Sequence, residues 1–263
     1  MMAAAEKKAQ RIAVISGKGG VGKSVVTANL AASLSKIGRK VLVVDADLGL
    51  ANLDVILGIS PQTTIYDALH GNCPLDEILM STEKGFDLIP AGSGVQEGAL
   101  LTRNMADRME AFLRSLETRY DFILFDAGAG IGDVVLHFAN IADKILLVVT
   151  PEPTSLMDAY ATIKILNQTY YKNEFFLVVN QANPASSNKV GASIVNHLQN
   201  VISMYIETKQ QCPVTLQLAG SIPTDPAIPH SVMRRQLLAE SSPQAPAACH
   251  MNNLANFFSA RIA

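Results

Sequence analysis

The 263-residue sequence has little cysteine and histidine, and neither residue type occurs in a metal-binding or redox pattern. The few that it has are Cys73, Cys212 and Cys249, and His70, His137, His197, His230 and His250. Zinc sites and dithiol redox sites need such residues at close and regular spacing. The scattered cysteines instead predict free thiols in a reducing compartment.

The sequence also lacks an excess of positive charge and any long apolar run. Its net charge of −2 gives no support to a strongly basic, nucleic-acid-binding protein. No apolar run approaches the roughly 20 residues of a membrane span. The lead over residues 1–11 has no apolar core long enough for a signal peptide, so we expect a cytoplasmic protein.

The sequence does contain a regular alternation of short apolar runs and segments with a helical period. Apolar residues make up 49 % of the chain and charged residues 17 %, so a sizeable core is available. The predicted strands span 12–15, 41–44, 86–89, 122–125, 145–149, 175–179 and 216–222. Most lack polar alternation, as expected of strands covered on both faces. We therefore predict an α/β fold, a doubly wound and mostly parallel sheet flanked by helices, formed as one domain over 1–263.

The helical pattern is clearest in four segments. It predicts helices at about 22–37, 102–118 and 187–206, and a last helix over 250–262. Another helix should open with a capping box formed by Ser155 and Asp158. The segment 239–248 holds Pro243 and Pro246 and predicts a loop.

A glycine-rich segment lies between the first predicted strand and the first predicted helix. It reads Gly17-Lys18-Gly19-Gly20-Val21-Gly22-Lys23-Ser24 and matches the P-loop pattern G-x-x-x-x-G-K-[ST]. Glycines let backbone N–H groups approach a phosphate, and the following helix start adds its own N–H groups and positive dipole. Lys23 would contact the β- and γ-phosphates and the Ser24 hydroxyl would bind Mg²⁺. An ordinary glycine-rich turn is disfavoured by the flanking strand and helix, so we predict that this loop, with Val25, binds ATP.

The second loop residue, Lys18, is not required by an ordinary P-loop. With Lys18 the segment resembles the deviant Walker A family (SIMIBI type), whose members include MinD, ParA and the nitrogenase iron protein. The resemblance implies a homodimer that forms with ATP, in which Lys18 reaches the partner's nucleotide. There the cation would offset charge on the transferring phosphoryl group, as an arginine finger does. The alternative is a solvated loop lysine without such a role.

Carboxylates follow two of the predicted strands, at the sheet edge where ligands of parallel sheets bind. Asp45 and Asp47 follow the second strand, and Asp126 ends the fourth. Asp47 could orient the attacking water and Asp126 could hold Mg²⁺ as the Walker B residue. The family resemblance implies that Asp47 is needed for hydrolysis, that Asp45 supports the metal site, and that Asp47 is also among the residues that hold the metal. The alternative for Asp45 and Asp47 is that they are only turn residues after a strand.

Three later residues match positions that contact the nucleotide base in the family. Asn180 closes the strand 175–179, and Pro223 and Asp225 lie in the segment Ile222-Pro223-Thr224-Asp225. The resemblance implies that all three contact adenine. For Asn180 the alternative is a loop-starting residue that bonds to local backbone.

Within the family, the segments 47–54, 128–133 and 153–160 look most like the FlhG (FleN) branch of MinD-like regulators of flagellar number. This resemblance implies a slow ATPase that regulates flagellar number or placement, with an FlhF-like GTPase or a flagellar transcription regulator as partner. The last helix carries one basic residue, Arg261, so it favours packing over a peripheral membrane contact, which stays open. The competing functions are a septum-site MinD protein and a ParA-type partition ATPase, and the acidic charge balance disfavours DNA binding by the latter.

Overall fold

The computed structural model describes residues 8–47, 49, 52–92, 102–205 and 213–261. Its strands are β1 (Gln10–Ser16), β2 (Val41–Ala46), β3 (Met80–Ser81), β4 (Asp87–Ile89), β5 (Phe122–Ala129), β6 (Lys144–Val149), β7 (Glu174–Ala182) and β8 (Thr215–Pro223). They form one eight-stranded sheet with the order β3-β4-β2-β5-β1-β6-β7-β8. All neighbours pair in parallel except β3, which is antiparallel to β4.

The helices alternate with the strands and cover both faces of the sheet. They are α1 (Lys23–Lys36), α2 (Leu53–Leu57), α3 (Ile65–Leu69), α4 (Arg103–Leu116), α5 (Asp133–Ile141), α6 (Pro153–Tyr170), α7 (Ser187–Tyr205), α8 (Ala227–Met233), α9 (Leu238–Ser241) and α10 (Pro246–Ser259), with a 3₁₀ helix at Leu75–Ile78. The predicted doubly wound, mostly parallel sheet is confirmed. All seven predicted strands are present, and among the strands in the described ranges the two-residue β3 was not predicted.

Two apolar cores lie on opposite faces of the sheet. In β1, Ala13 and Ile15 pack into the core formed with α3, α4, α5, α6 and α7. Ile12 and Val14 of the same strand pack into the core formed with α1, α2, α9 and α10. Successive strand side chains point to opposite faces, so an apolar run without alternation is what a sheet covered on both sides requires.

The C-terminal region differs from its predicted bounds. The segment 239–248, expected to be a loop, contains most of α9 and the first turn of α10, and α10 starts at Pro246 rather than at residue 250. Proline is favoured in the first turn of a helix because its missing N–H would be unpaired there. The predicted end at residue 262 lies outside the described residues.

The apolar side of α10 is used inside the molecule. Met251, Leu254 and Phe258 are buried in the core that α10 shares with α1. The packing interpretation of this helix is therefore confirmed for these three residues. Among the helices that the structure describes, none has the length and apolar content to cross a bilayer.

The capping box predicted at Ser155 is wrong. α6 begins at Pro153, two residues earlier, and Glu152 occupies the capping position. The buried Ser155 hydroxyl instead accepts a hydrogen bond from the backbone N–H of Thr150, at 3.1 Å. It thereby ties the first turn of α6 to the end of β6.

Candidate functional site

The glycine-rich loop connects β1 to α1 at the carboxyl edge of the sheet. Gly22 caps α1 in the left-handed conformation, with φ of 87°, and its carbonyl accepts the N–H of Val26. A Cβ atom on Gly22 would collide with the side-chain amide of Asn180, at the end of β7. Glycine is therefore required at this position both by the backbone angle and by the close approach of β7.

A cavity of about 410 Å³ opens beside this loop. Its walls include Ser16, Gly19, Gly20, Val21, Gly22, Lys23, Ser24, Val25, Asp47, Asn52, Val55, Ile56, Ala129 and Val232. Seven of the predicted ATP-binding residues, from Gly19 to Val25, are thus brought together with Asp47. The volume lies in the range of small-molecule sites, about 300–1,000 Å³. Sequence reasoning missed the apolar wall formed by Val55, Ile56 and Val232, because these residues come from two helices far apart in the chain.

A buried charge pair lies at the base of the loop. The Lys23 ammonium donates to Asp126 Oδ1 at 2.8 Å, and the side chains are 7 % and 1 % exposed. The Thr27 hydroxyl lies 2.9 Å from the same carboxylate oxygen. Lys23 Nζ also lies 3.4 Å from Ser24 Oγ. Lys23, Ser24 and the Walker B residue Asp126, all predicted from the sequence, therefore lie together.

Asp45 lies beside Asp126 as its register partner on β2 and β5. Burial raises the pKa of Asp45 well above its ordinary value, and the nearby Asp126 carboxylate raises it further. The backbone N–H of Asp47, which donates to Asp45 Oδ1 at 3.1 Å, opposes this rise. Residues 48, 50 and 51 of the predicted run after Asp47 lie outside the described residues.

The donor set fits magnesium better than a metal that needs an all-protein cage. Within the described ranges no group of three or more His, Cys, Asp and Glu side chains could hold a metal, so Asp45, Asp47 and Asp126 do not converge in that way. Ser24 Oγ and Asp126 Oδ1 both lie within 3.4 Å of Lys23 Nζ. Magnesium keeps several waters and is usually bound by one or two carboxylates together with substrate phosphates. The Ser24 hydroxyl in the cavity wall and the nearby Asp126 carboxylate are donors of this kind.

Lys18 is a partly exposed loop residue that pairs with the start of α6. Its ammonium donates to Glu152 Oε2 at 2.7 Å and to Thr154 Oγ1 at 3.1 Å, both at the start of α6. The loop also touches α6 at Gly17, where a Cβ atom would lie 2.5 Å from the carbonyl carbon of Asp158. The roles of Glu152 and Thr154 could not be predicted from the sequence, because contacts over more than 130 positions leave no trace in residue spacing.

The three predicted base-contacting residues do not line the cavity. Asn180 is buried and donates through Nδ2 to the Val21 carbonyl at 2.8 Å, so its bond reaches the P-loop rather than local backbone. Asp225 accepts from the backbone N–H groups of Ala227 and Ala247, at 2.9 and 3.0 Å, and so joins α8 to α10. Pro223 ends β8. Their contact with adenine stays a prediction.

Known proteins with similar sequences point to the same class of nucleotide-binding protein as this site. The sequence profile of an AAA domain family matches residues 9–177. The antiactivator FleN of Pseudomonas aeruginosa is 39 % identical over 240 residues, which cover 91 % of this chain and 82 % of that protein. The flagellum site-determining protein YlxH of Helicobacter pylori is 39 % identical over 234 residues, covering 88 % of this chain and 76 % of its own. The chain belongs to the MinD/ParA family of P-loop ATPases and is similar to its FleN (FlhG) members.

Solved MinD structures share the fold over nearly the whole chain. The cell division ATPase MinD of Pyrococcus furiosus has a TM-score of 0.76 at 27 % identity and covers 95 % of this chain and 98 % of its own. MinD in the MinC:MinD complex of Aquifex aeolicus has a TM-score of 0.77 at 28 % identity, with 96 % of each chain covered. MinD of Pyrococcus horikoshii, solved with Mg-ADP, has a TM-score of 0.74 at 25 % identity, with 97 % of this chain and 99 % of its own covered. Nucleotide and Mg²⁺ binding is thus documented in the MinD/ParA family.

Proposed function

We propose that this MinD-like chain is a slow, Mg²⁺-dependent ATPase that dimerises with ATP and regulates flagellar number or placement. The observation that carries the proposal is the cavity walled by Gly19–Val25 and Asp47, with the Lys23–Asp126 pair at its base. Phosphate oxygens in this cavity would meet the loop N–H groups and the positive end of α1. Lys23 would then exchange its bond to Asp126 for a phosphate oxygen.

The carboxylates have separate roles in this proposal. Asp47, in the cavity wall, would orient the attacking water. Ser24 and Asp126 would hold Mg²⁺, which supplies positive charge to the transferring phosphoryl group. Asp45 would support the metal site indirectly, because it lies beside Asp126 and accepts a hydrogen bond from the Asp47 backbone.

Two features support the dimer. Lys18 pairs with Glu152 at the molecular surface, where the side chains are 39 % and 59 % exposed. An exposed pair contributes little stability, so Lys18 can leave Glu152 for a partner's nucleotide at small cost. In addition, Val55, Ile131 and Met233 are exposed apolar side chains, each in or within two residues of the cavity wall. A second copy facing the cavity would cover this apolar surface.

The flagellar role rests on the relatives. The two proteins described above at 39 % identity are named as the antiactivator FleN and the flagellum site-determining protein YlxH. Septum site-determining MinD of Synechocystis is 34 % identical over 177 residues, covering 66 % of this chain and 65 % of that protein. On this basis the output would be a contact with flagellar proteins, with septum placement as the competing role.

The catalytic part is tested by Lys18→Ala, with Lys164→Ala as the matched control because Lys164 is an exposed lysine on α6. Sedimentation should show a wild-type dimer with ATP and a monomer with ADP. Lys18→Ala should bind ATP as a monomer and release phosphate about a hundredfold more slowly, as expected when one charge-stabilising group is lost. Unchanged dimerisation and hydrolysis in Lys18→Ala would overturn the cross-dimer role.

The biological part is tested by microscopy of a deletion strain, with flagella and division septa counted in the same cells. Extra or misplaced flagella with normal septa are expected. Minicells with ordinary flagella would assign the chain to septum placement instead. Salt-sensitive binding of nonspecific DNA with ATP, measured on the purified protein, would favour the partition role.

A further inference from the structure

The buried carboxylate of Asp126 receives a second hydrogen bond, from a residue that lies outside the pattern G-x-x-x-x-G-K-[ST]. Thr27 lies on α1 one helical turn after Lys23, and its side chain is fully buried. Its Oγ1 lies 2.9 Å from Asp126 Oδ1 and 3.0 Å from the backbone carbonyl oxygen of Lys23. In the part of the chain that the structure describes, Lys23 and Thr27 are the side chains that donate to Asp126.

Both donors reach the same oxygen. Lys23 Nζ and Thr27 Oγ1 bond to Asp126 Oδ1, so Oδ2 is left to other ligands. A carboxylate that is 1 % exposed is costly to leave without donors. When Lys23 moves to a phosphate, as the proposed function requires, the Thr27 hydroxyl becomes the side-chain donor that keeps Asp126 in its orientation.

Threonine suits this task because its side chain is stiff. A β-branched residue in a helix has few χ1 rotamers, and the hydroxyl of threonine can bond to the carbonyl four residues earlier. The Thr27 hydroxyl lies within reach of that carbonyl, on Lys23. The same rotamer places Oγ1 within bonding distance of both acceptors, and its single proton is best donated to the charged carboxylate of Asp126, the stronger acceptor.

We infer that Thr27 is a positioning residue that holds the Walker B carboxylate of Asp126 for Mg²⁺ when Lys23 is engaged with phosphate. The inference rests on the proposed function. Thr27 acts through Asp126 and does not touch the nucleotide. Its loss should therefore weaken the contribution of Mg²⁺ to nucleotide binding and leave metal-free binding unchanged.

The test is a titration of the full chain with a fluorescent ADP, once with Mg²⁺ and once with EDTA. Thr27→Val keeps the side-chain shape without the hydroxyl, and should lose about tenfold of the Mg²⁺-dependent gain in affinity, as expected for a lost bond to a charged group. Affinity in EDTA should stay at the wild-type value. Thr27→Ser restores a hydroxyl and should regain most of the Mg²⁺-dependent gain.

Thr162→Val is the matched control. Thr162 is buried on α6, and its hydroxyl bonds to the carbonyl of Asp158 four residues earlier, at 2.8 Å, without reaching a carboxylate. This variant should keep the full Mg²⁺-dependent gain. A Thr27→Val protein with that gain intact, or with equal losses in Mg²⁺ and EDTA, would overturn the positioning role. A wild-type chain with no nucleotide affinity would overturn the proposed function as well.

Discussion

The two lysines of the glycine-rich loop make ion pairs of nearly equal length in very different surroundings. Lys23 meets Asp126 at 2.8 Å with side chains that are 7 % and 1 % exposed. Lys18 meets Glu152 at 2.7 Å with side chains that are 39 % and 59 % exposed. The two distances are nearly equal, but the two pairs differ greatly in the exposed fraction of their side chains.

Burial decides what each pair can do. Two charges at the surface gain little from pairing, because water and salt screen them and both remain solvated when they part. Two buried charges have lost their water, so removing one leaves the other without compensation. The Lys23 pair therefore stabilises the nucleotide-free fold, whereas the Lys18 pair can be broken at little cost in stability.

The first prediction concerns stability. Lys23→Met should lower the free energy of unfolding by about 3 kcal/mol, because the Asp126 carboxylate stays buried without its cation. Lys18→Met should change it by less than about 1 kcal/mol. Urea denaturation of the nucleotide-free protein measures both. Equal losses in the two variants would show that burial does not separate the pairs.

A second prediction tests the close contact between Gly17, next to Lys18 in the loop, and Asp158 of α6. A Cβ atom on Gly17 would lie within 2.8 Å of three atoms of Asp158, two of them backbone, which cannot rotate away. Gly17→Ala should therefore cost about 2 kcal/mol of unfolding free energy, as overpacking does. Gly19→Ala is the control, since nothing lies within 4 Å of that position. If both variants unfold at the same urea concentration, the close approach of α6 is not a constraint.

The third prediction concerns Glu152, the acidic partner of Lys18 in the exposed pair. Glu152→Gln should change the unfolding free energy by less than about 1 kcal/mol. Without the carboxylate charge, Lys18 would lose less interaction energy when it leaves residue 152. The ATP-dependent dimer should therefore form at a lower protein concentration in sedimentation. Glu83→Gln, at another exposed glutamate, should leave that concentration unchanged. A Glu152→Gln dimer that needs more protein would mean that Glu152 helps the dimer rather than holding Lys18 back.

The residues around the loop differ in how far they could be predicted from the sequence. The P-loop was predictable because its strand, its glycines and Lys23 are contiguous, and the strand ends placed Asp45 and Asp126 at one edge. Thr27 could have been found by helical spacing, since it lies one turn after Lys23. Glu152 and Val232 could not, because tertiary packing brings them to the loop. Pro246 was misread because proline has opposite meanings in a loop and in the first turn of a helix.

The smallest expected effect comes from the half-buried histidine His137. His137 Nε2 has no hydrogen-bond partner among the described residues, and burial lowers the pKa of His137 although Glu110 and Asp107 act in the other direction. The unfolded chain then binds more protons than the folded one below about pH 6.5, so the unfolding free energy falls as the pH falls through that value. His137→Gln should make this dependence shallower in urea denaturation between neutral and mildly acidic pH, whereas His230→Gln, at an exposed histidine, should not. A His137→Gln profile parallel to that of the wild type would mean that His137 is protonated equally well in the folded and unfolded chain.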